Sequence, residues 1–324
     1  MKGFPFNSWF ITLIALTYLF IQDTRAVIEQ SLPITPTCGS SSSKTSVNYN
    51  FGIQLDKIST IYVFGDSLSA NGNHRGGTPP PPQPQKEGVL YGGRATNGLM
   101  WNEVLLTKNG SKVSSYAVGG AVIDKNLYHN LKPSVVDMVE ETQNYLVQNR
   151  KIEPETTLTS IYFGVNDYSA ATKEKLANQL LPKAAEEYLE QTKKLIESGM
   201  AQFLILTPPM DRPAFSEHND IIWNGMLEFQ KSHNITFAHV QMSELFQKLD
   251  ENPGLFKFDD TKSCLVSSKS LDGSCSNPDE HPYWIPAHPS ARMQEYIAEY
   301  VTKVIEDCKE GKSNSHKHNE KNKY

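Results

Sequence analysis

Short apolar runs alternate with amphipathic stretches along most of this chain. Runs at 60–64, 112–118, 157–163, 202–207 and 235–240 have the length and the β-branched and aromatic content of buried strands. Between them, Leu176, Leu180, Ala184, Tyr188, Thr192 and Leu195 recur three or four residues apart, as do Val135, Val139, Thr142 and Leu146. That spacing predicts helices with one apolar face each. A last helix is predicted with Ile297, Tyr300, Val301, Val304 and Cys308 on one side. Strands that alternate with amphipathic helices need crossover connections, so the pattern predicts an α/β domain whose mainly parallel sheet is covered on both faces.

The ends read differently. Lys2 precedes an apolar run from Trp9 to Ile21, which is too short to span a bilayer, and then Asp23-Thr24-Arg25-Ala26. The expectation is a secretory signal over residues 1–26, with a retained signal anchor as the alternative. Residues 27–56 are mixed and Ser-rich and are expected to lie over the domain as an N-terminal extension. The domain itself is expected over 57–308. Residues 309–324 are Lys-rich with little that is apolar, which predicts a disordered basic tail. The segment 77–88, with its run of prolines, cannot continue a helix or a central strand and is expected to form a stiff loop.

A formal net charge of -5 and the lack of a basic patch interleaved with aromatics argue against a nucleic-acid partner. No later run reaches membrane length, and a soluble, secreted monomer is expected. The four cysteines are even in number, which in a secreted chain favours disulfides. Cys264 and Cys275 enclose a polar loop and are paired first, leaving Cys38 with Cys308, although sequence alone permits three pairings. Asn109-Gly-Ser and Asn234-Ile-Thr fit the N-glycosylation rule.

Chemistry concentrates at strand ends. The run Ile61-Tyr62-Val63-Phe64 feeds directly into Gly65-Asp66-Ser67, placing a hydroxyl at the tip of a turn where a nucleophile is held exposed. Asp66 is expected to brace that turn. Gly119-Gly120, after the second strand, allows the backbone to turn an N–H toward a ligand. Asn166, after the third, offers a side-chain amide. In open parallel sheets ligands bind at the carboxyl ends of strands, so Ser67, Gly120 and Asn166 are expected to converge. The N–H of Ser67 or its neighbour, the N–H of Gly120 and the Asn166 amide would form an oxyanion hole. His288, followed by Pro289 at the start of the last helix, is the best base, with His281 as its competitor. Trp101, Trp223, Tyr283 and Trp284 are candidates to line a sugar or acyl face, against the more ordinary role of core packing. No cofactor and no metal ligand set is implied.

Taken in order, Gly-Asp-Ser-Leu-Ser-Ala-Asn-Gly-Asn at 65–73, Gly-Arg-Ala-Thr-Asn-Gly-Leu-Met-Trp at 93–101, Tyr-Ala-Val-Gly-Gly-Ala at 116–121, Gly-Val-Asn-Asp at 164–167 and His-Pro-Ser at 288–290 resemble the GDSL or SGNH hydrolase superfamily. Within it, the secreted fungal and plant-type esterases grouped with carbohydrate acetylesterases are the nearest likeness. The resemblance implies a flavodoxin-like three-layer α/β/α sandwich, with Ser67 as nucleophile, Gly120 and Asn166 as oxyanion donors and His288 as base. It implies an esterase for small acyl esters or acetylated carbohydrates.

The pattern departs at two positions. Ile285 stands three residues before His288, where the superfamily places the acid that orients the histidine, and Ala70 stands where an Asp is usual. Two outcomes follow. A backbone carbonyl, or Asp279 or Glu280 as substitute acid, holds His288 and the protein works as a dyad or atypical triad; or the fold binds a glycan or a partner without catalysis. Lipase or phospholipase activity is a third possibility.

Overall fold

The computed structural model describes residues 31–85, 88–107 and 110–310. The expected signal segment, Asn109 and residues 311–324 of the tail lie outside them.

A six-stranded sheet carries the domain. In chain order its strands are β1 (Tyr49–Asn50), β2 (Thr60–Gly65), β3 (Lys112–Ser115), β4 (Thr157–Tyr162), β5 (Gln202–Leu206) and β6 (Thr236–Val240), and in space they run β1-β6-β5-β4-β2-β3. All pairings are parallel except β1 with β6. The helices are α1 (Trp101–Thr107), α2 (Met138–Leu146), α3 (Val165–Lys173), α4 (Ala177–Glu197), α5 (Pro213–His233), α6 (Met242–Glu251) and α7 (Ala291–Asp307).

Alternation along the strands explains the three layers, because successive side chains leave a strand on opposite faces. Ile61 and Val63 of β2, with Leu204 and Leu206 of β5, pack in one cluster with Trp101 of α1, Leu245 of α6 and Val301 of α7. Tyr62, Phe64, Phe203 and Ile205 pack in the other with Met138 of α2, Tyr188 of α4 and Trp223 of α5. The result is an α/β/α sandwich with a largely parallel sheet.

The apolar face predicted for α4 is buried as expected at Leu180, Ala184, Tyr188, Thr192 and Leu195. The face predicted for α2 is rotated. Its buried residues are Met138, Glu141, Thr142 and Tyr145, and Val135 precedes the helix. The strand expected over 112–118 ends as a strand at Ser115, although the Tyr116 and Val118 N–H groups still donate to the carbonyls of Val63 and Gly65.

The N-terminal extension covers an edge. Residues 49–50 pair antiparallel with β6, shielding what would be an open parallel edge. Buried Asn48 donates to Glu244 of α6 and to the Tyr300 hydroxyl of α7. A Cys38–Cys308 disulfide joins this strap to the end of α7, and a Cys264–Cys275 disulfide closes the polar loop. Asn234 is exposed, in left-handed conformation at the end of α5. Among the described residues no helix is long and apolar enough to cross a membrane.

Candidate active site

Strand β2 delivers Ser67. Beyond its last residue the backbone closes a single helical turn in which the N–H groups of Ser69 and Ala70 donate to the Asp66 carbonyl. The Asp66 carboxylate accepts from the Leu68 N–H at 2.8 Å, so Asp66 braces the turn from both its backbone and its side chain. Gly65 is required there, since a Cβ would lie 2.7 Å from the Tyr162 carbonyl on the neighbouring strand. Within 61–70 Ser67 alone is partly open to solvent; the others are buried.

A small hairpin delivers His288. Strands β7 (Tyr283–Ile285) and β8 (His288–Pro289) pair antiparallel around a Pro286-Ala287 turn in which Ala287 has φ 62°. His288 Nδ1 lies 2.9 Å from the Pro286 carbonyl, and Nε2 lies 2.8 Å from Ser67 Oγ. A carbonyl only accepts, so Nδ1 carries the proton, and neutral Nε2 is left to accept from the Ser67 hydroxyl. Burial lowers the His288 pKa below the ordinary histidine value, and the Pro286 hydrogen bond opposes that shift in part.

The two positions read from the sequence as departures, Ile285 and Ala70, are both taken up in packing. Ile285 is buried with Val89, Cys264, Leu265 and Trp284, and Ala70 is buried in the cluster that contains Leu68, Trp101 and Met293. Asp279 and Glu280 form a short 3-10 turn with Pro278. Among the described residues neither carboxylate bonds His288, whose Nδ1 is taken by Pro286. His281 faces the Asp260 carboxylate at 3.5 Å instead of Ser67.

Gly119 lies alongside Ser67, and Gly120 follows it. A Cβ on Gly119 would be 3.9 Å from that of Ser67, and Gly120 has φ 84°. Among the described residues the N–H groups of Ser67 and Gly120 have no protein acceptor. Asn166, in the first turn of α3, is brought to the same place but is engaged: its Nδ2 donates to the Ala121 carbonyl at 2.9 Å and to Asp66 Oδ2 at 3.2 Å. It thus ties the loop after β3 to the turn after β2. To serve as a third donor it must open the longer of those bonds.

Two buried acids escape a reading by sequence. Glu141 of α2 accepts from the Gly65 N–H through Oε2 at 2.9 Å and from the Val118 N–H through Oε1 at 3.1 Å. Asp167 Oδ1 accepts from the Ile123 N–H and the Tyr128 hydroxyl, both at 2.9 Å. Burial raises all three carboxyls beneath the site: Asp66 to about 7, Asp167 to about 6, and Glu141 well above its ordinary value. For Glu141, helical spacing marks the buried stripe but not the partners it meets there. Met138 and Tyr145 stand seven apart with Glu141 between them, and that stripe is the buried one.

The aromatic candidates for a substrate face serve the core. The indole N–H groups of Trp101, Trp223 and Trp284 donate to the carbonyls of Leu68, Ser43 and Val89, and Tyr283 stacks on Phe246. An open groove of about 660 Å³ beside α5, lined by Leu189, Glu217, Asp220 and Glu228 among others, contains neither Ser67 nor His288.

Comparison with known proteins matches this chain to a family. A thermolabile hemolysin of Vibrio parahaemolyticus is 25% identical over 277 residues, covering 76% of this chain and 64% of that protein. The secreted effector protein SseJ of Salmonella typhimurium is 25% identical over 171 residues, covering 52% of this chain and 39% of its own. The chain therefore spans less than two thirds of either relative. A carbohydrate esterase family 2 enzyme with a carbohydrate binding domain, from Corynascus thermopiles, superposes with a TM-score of 0.43 at 14% identity, over 75% of this chain and 64% of that one. The profile of GDSL-like lipases and acylhydrolases matches residues 61–301, from the strand that carries Ser67 into the helix that follows His288, and the chain belongs to that family.

Proposed function

We propose that the protein is a secreted serine esterase that hydrolyses short acyl esters, acetyl esters of carbohydrates first, through a Ser67–His288 dyad. The observation that carries this reading is the 2.8 Å approach of His288 Nε2 to Ser67 Oγ with Nδ1 already committed to Pro286. The acetyl preference rests on the resemblance of the motif blocks to carbohydrate acetylesterases.

In this reading Ser67 Oγ attacks the ester carbonyl carbon as Nε2 takes its proton. The oxyanion meets the free N–H groups of Ser67 and Gly120, with Asn166 joining as its bond to Asp66 opens. The C–O bond to the alcohol breaks, and the alcohol leaves with the proton from His288. Water then attacks the acyl-serine, gives its proton to Nε2, and the acid departs as that proton returns to Ser67. Each atom is accounted for without a cofactor.

A carbonyl orients the ring but supports the imidazolium less than a carboxylate does. Much of the loss seen when a triad acid is replaced comes from the wrong histidine tautomer. Here the tautomer is the productive one, so the dyad retains part of what a triad achieves.

The test compares the mature protein with its Ser67→Ala form on p-nitrophenyl acetate, followed by a screen of acetylated oligosaccharides against esters of increasing acyl length. The parent is expected to be faster by orders of magnitude and to prefer acetyl groups. Equal rates would leave a non-catalytic binding protein, and a clear preference for long chains a lipase or phospholipase.

A further inference from the structure

We propose that Glu141 is a positioning residue that sets the distance between the two backbone donors of the oxyanion hole. This rests on the esterase reading above. Glu141 bonds the N–H of Gly65 with one oxygen and the N–H of Val118 with the other. Each of those residues stands two positions before a donor: Gly65 before Ser67, Val118 before Gly120. One carboxylate therefore grips both loops at the same remove from their working N–H groups. Val118 also donates to the Gly65 carbonyl at 3.0 Å, which closes a ring of three hydrogen bonds between the two loops and the acid.

The helix that carries Glu141 is itself fixed to the donor loop. Asp137 caps α2 by accepting from the Glu140 N–H at 2.9 Å, and the Met138 N–H donates to the carbonyl of Val122, two residues past Gly120. The Val122 N–H returns a bond to Val136. Glu141 then enters from below, fully buried, and stays out of reach of substrate. Two loops separated by about 50 residues of sequence are held by one side chain whose planar oxygens define their spacing. Burying an acid is costly, and an apolar residue would hold the layer together without orienting either amide.

Glutamine at this position keeps the shape but turns a donor toward one of the two N–H groups, and alanine removes both bonds. The experiment measures kcat and KM of Glu141→Gln and Glu141→Ala on p-nitrophenyl acetate beside the parent, Ser67→Ala and Leu195→Ala, a core truncation in α4 that makes no hydrogen bond to either donor segment. It also measures the rate at which diethyl p-nitrophenyl phosphate modifies Ser67, with loss of p-nitrophenolate. Glu141→Gln is expected to lose kcat and kcat/KM together, on the order of 10²-fold, the scale of one lost oxyanion donor. Phosphorylation of Ser67 is expected to slow in step. Leu195→Ala is expected to melt earlier with kcat within threefold of the parent. If Glu141→Ala does not fold, Glu141→Gln decides. Serine-dependent turnover that Glu141→Gln leaves within threefold overturns the role of Glu141 alone, as does a rise in KM with kcat unchanged. Equal rates for the parent and Ser67→Ala overturn the esterase reading and this role with it.

Discussion

The carbonyl oxygen of Pro286 lies 2.9 Å from Nδ1 of His288. The acceptor that orients the imidazole is thus two residues away in sequence and belongs to the backbone. Proline fixes the first turn position near φ -65°, and the positive φ of Ala287 fits the second position of a type II turn. Together they close the hairpin in which this carbonyl faces the imidazole. An acid at 285 is not needed to fix the tautomer, which frees Ile285 to pack beneath the hairpin.

Placing an acid at 285 is therefore expected to harm the protein. Ile285→Asp removes a buried side chain from the cluster of Val89, Leu265 and Trp284 and buries a carboxylate in its place, at a cost of about 3 kcal/mol or more. Turnover is expected to stay at or below that of the parent. Thermal unfolding and p-nitrophenyl acetate kinetics check both halves. A large gain in turnover would show that the new carboxylate had displaced Pro286 and that the carbonyl is a poor substitute.

Ala287 offers a second handle on the same turn. A left-handed conformation costs an L-residue about 1–2 kcal/mol, and glycine avoids it. Ala287→Gly is expected to raise stability by about 1 kcal/mol or less, because the more flexible unfolded chain takes back part of the gain. Ala287→Val is expected to distort the turn, move the ring and lower kcat on the order of 10–100-fold. Equal activity in the two variants would mean that the turn does not position His288.

Much of this site is legible in local patterns, and the rest is not for a physical reason. Ser67, Gly120 and Asn166 follow strands whose apolar alternation is strong, so their meeting at one sheet edge follows from parallel topology. The β7 and β8 strands are too short for a period to show, and the pairing of residues 49–50 with β6 depends on a strap that local pattern reads only as irregular. Glu141 and Asp167 are hidden for another reason. Their partners, the Gly65 and Val118 amides for Glu141 and the Ile123 amide and Tyr128 hydroxyl for Asp167, are remote in sequence, and an acid in a helix reads as a solvent position until they are known. Asn166 stands beside Asp66 with its amide engaged, which the sequence does not show because hydrogen-bond direction is not encoded in strand order.

The pH dependence of the rate follows from the state of His288. In the proposed dyad His288 must be neutral to accept from Ser67, and burial lowers its pKa below 6.5. Activity is expected to rise with pH through an ionisation below 6.5 and to reach its plateau by neutrality. The profile of kcat/KM on p-nitrophenyl acetate checks this, and a single acid limb above 6.5 would contradict it. Asp66, raised by burial to about 7, bonds Asn166 and can add an inflection in the neutral range. That inflection is expected to vanish in Asp66→Asn while the lower limb remains.

Stability toward acid turns on histidines away from the site. His239 is fully buried on β6, its Nδ1 donating to the Val47 carbonyl at 2.9 Å, and burial lowers its pKa to about 4. Because the folded value lies below the unfolded one, the unfolded chain binds the extra proton first. The stability tied to the neutral ring is then complete above about 6.5 and is lost as pH falls toward 4. The shift corresponds to about 3 kcal/mol for one such ring. His218 of α5, also lowered to about 4 by burial, acts in the same direction. Asp66 and Asp167, raised to about 7 and about 6, act oppositely, since their stability is present at low pH and lost as pH rises, so the parent's own curve is partly flattened. The contribution of His239 is isolated by difference. His239→Gln retains a donor for Val47 but no titrating group. Between pH 7 and pH 4 it is expected to lose about 3 kcal/mol less unfolding free energy than the parent, measured by urea denaturation at each pH. Parallel losses in the two proteins would show that His239 does not remain neutral in the folded state.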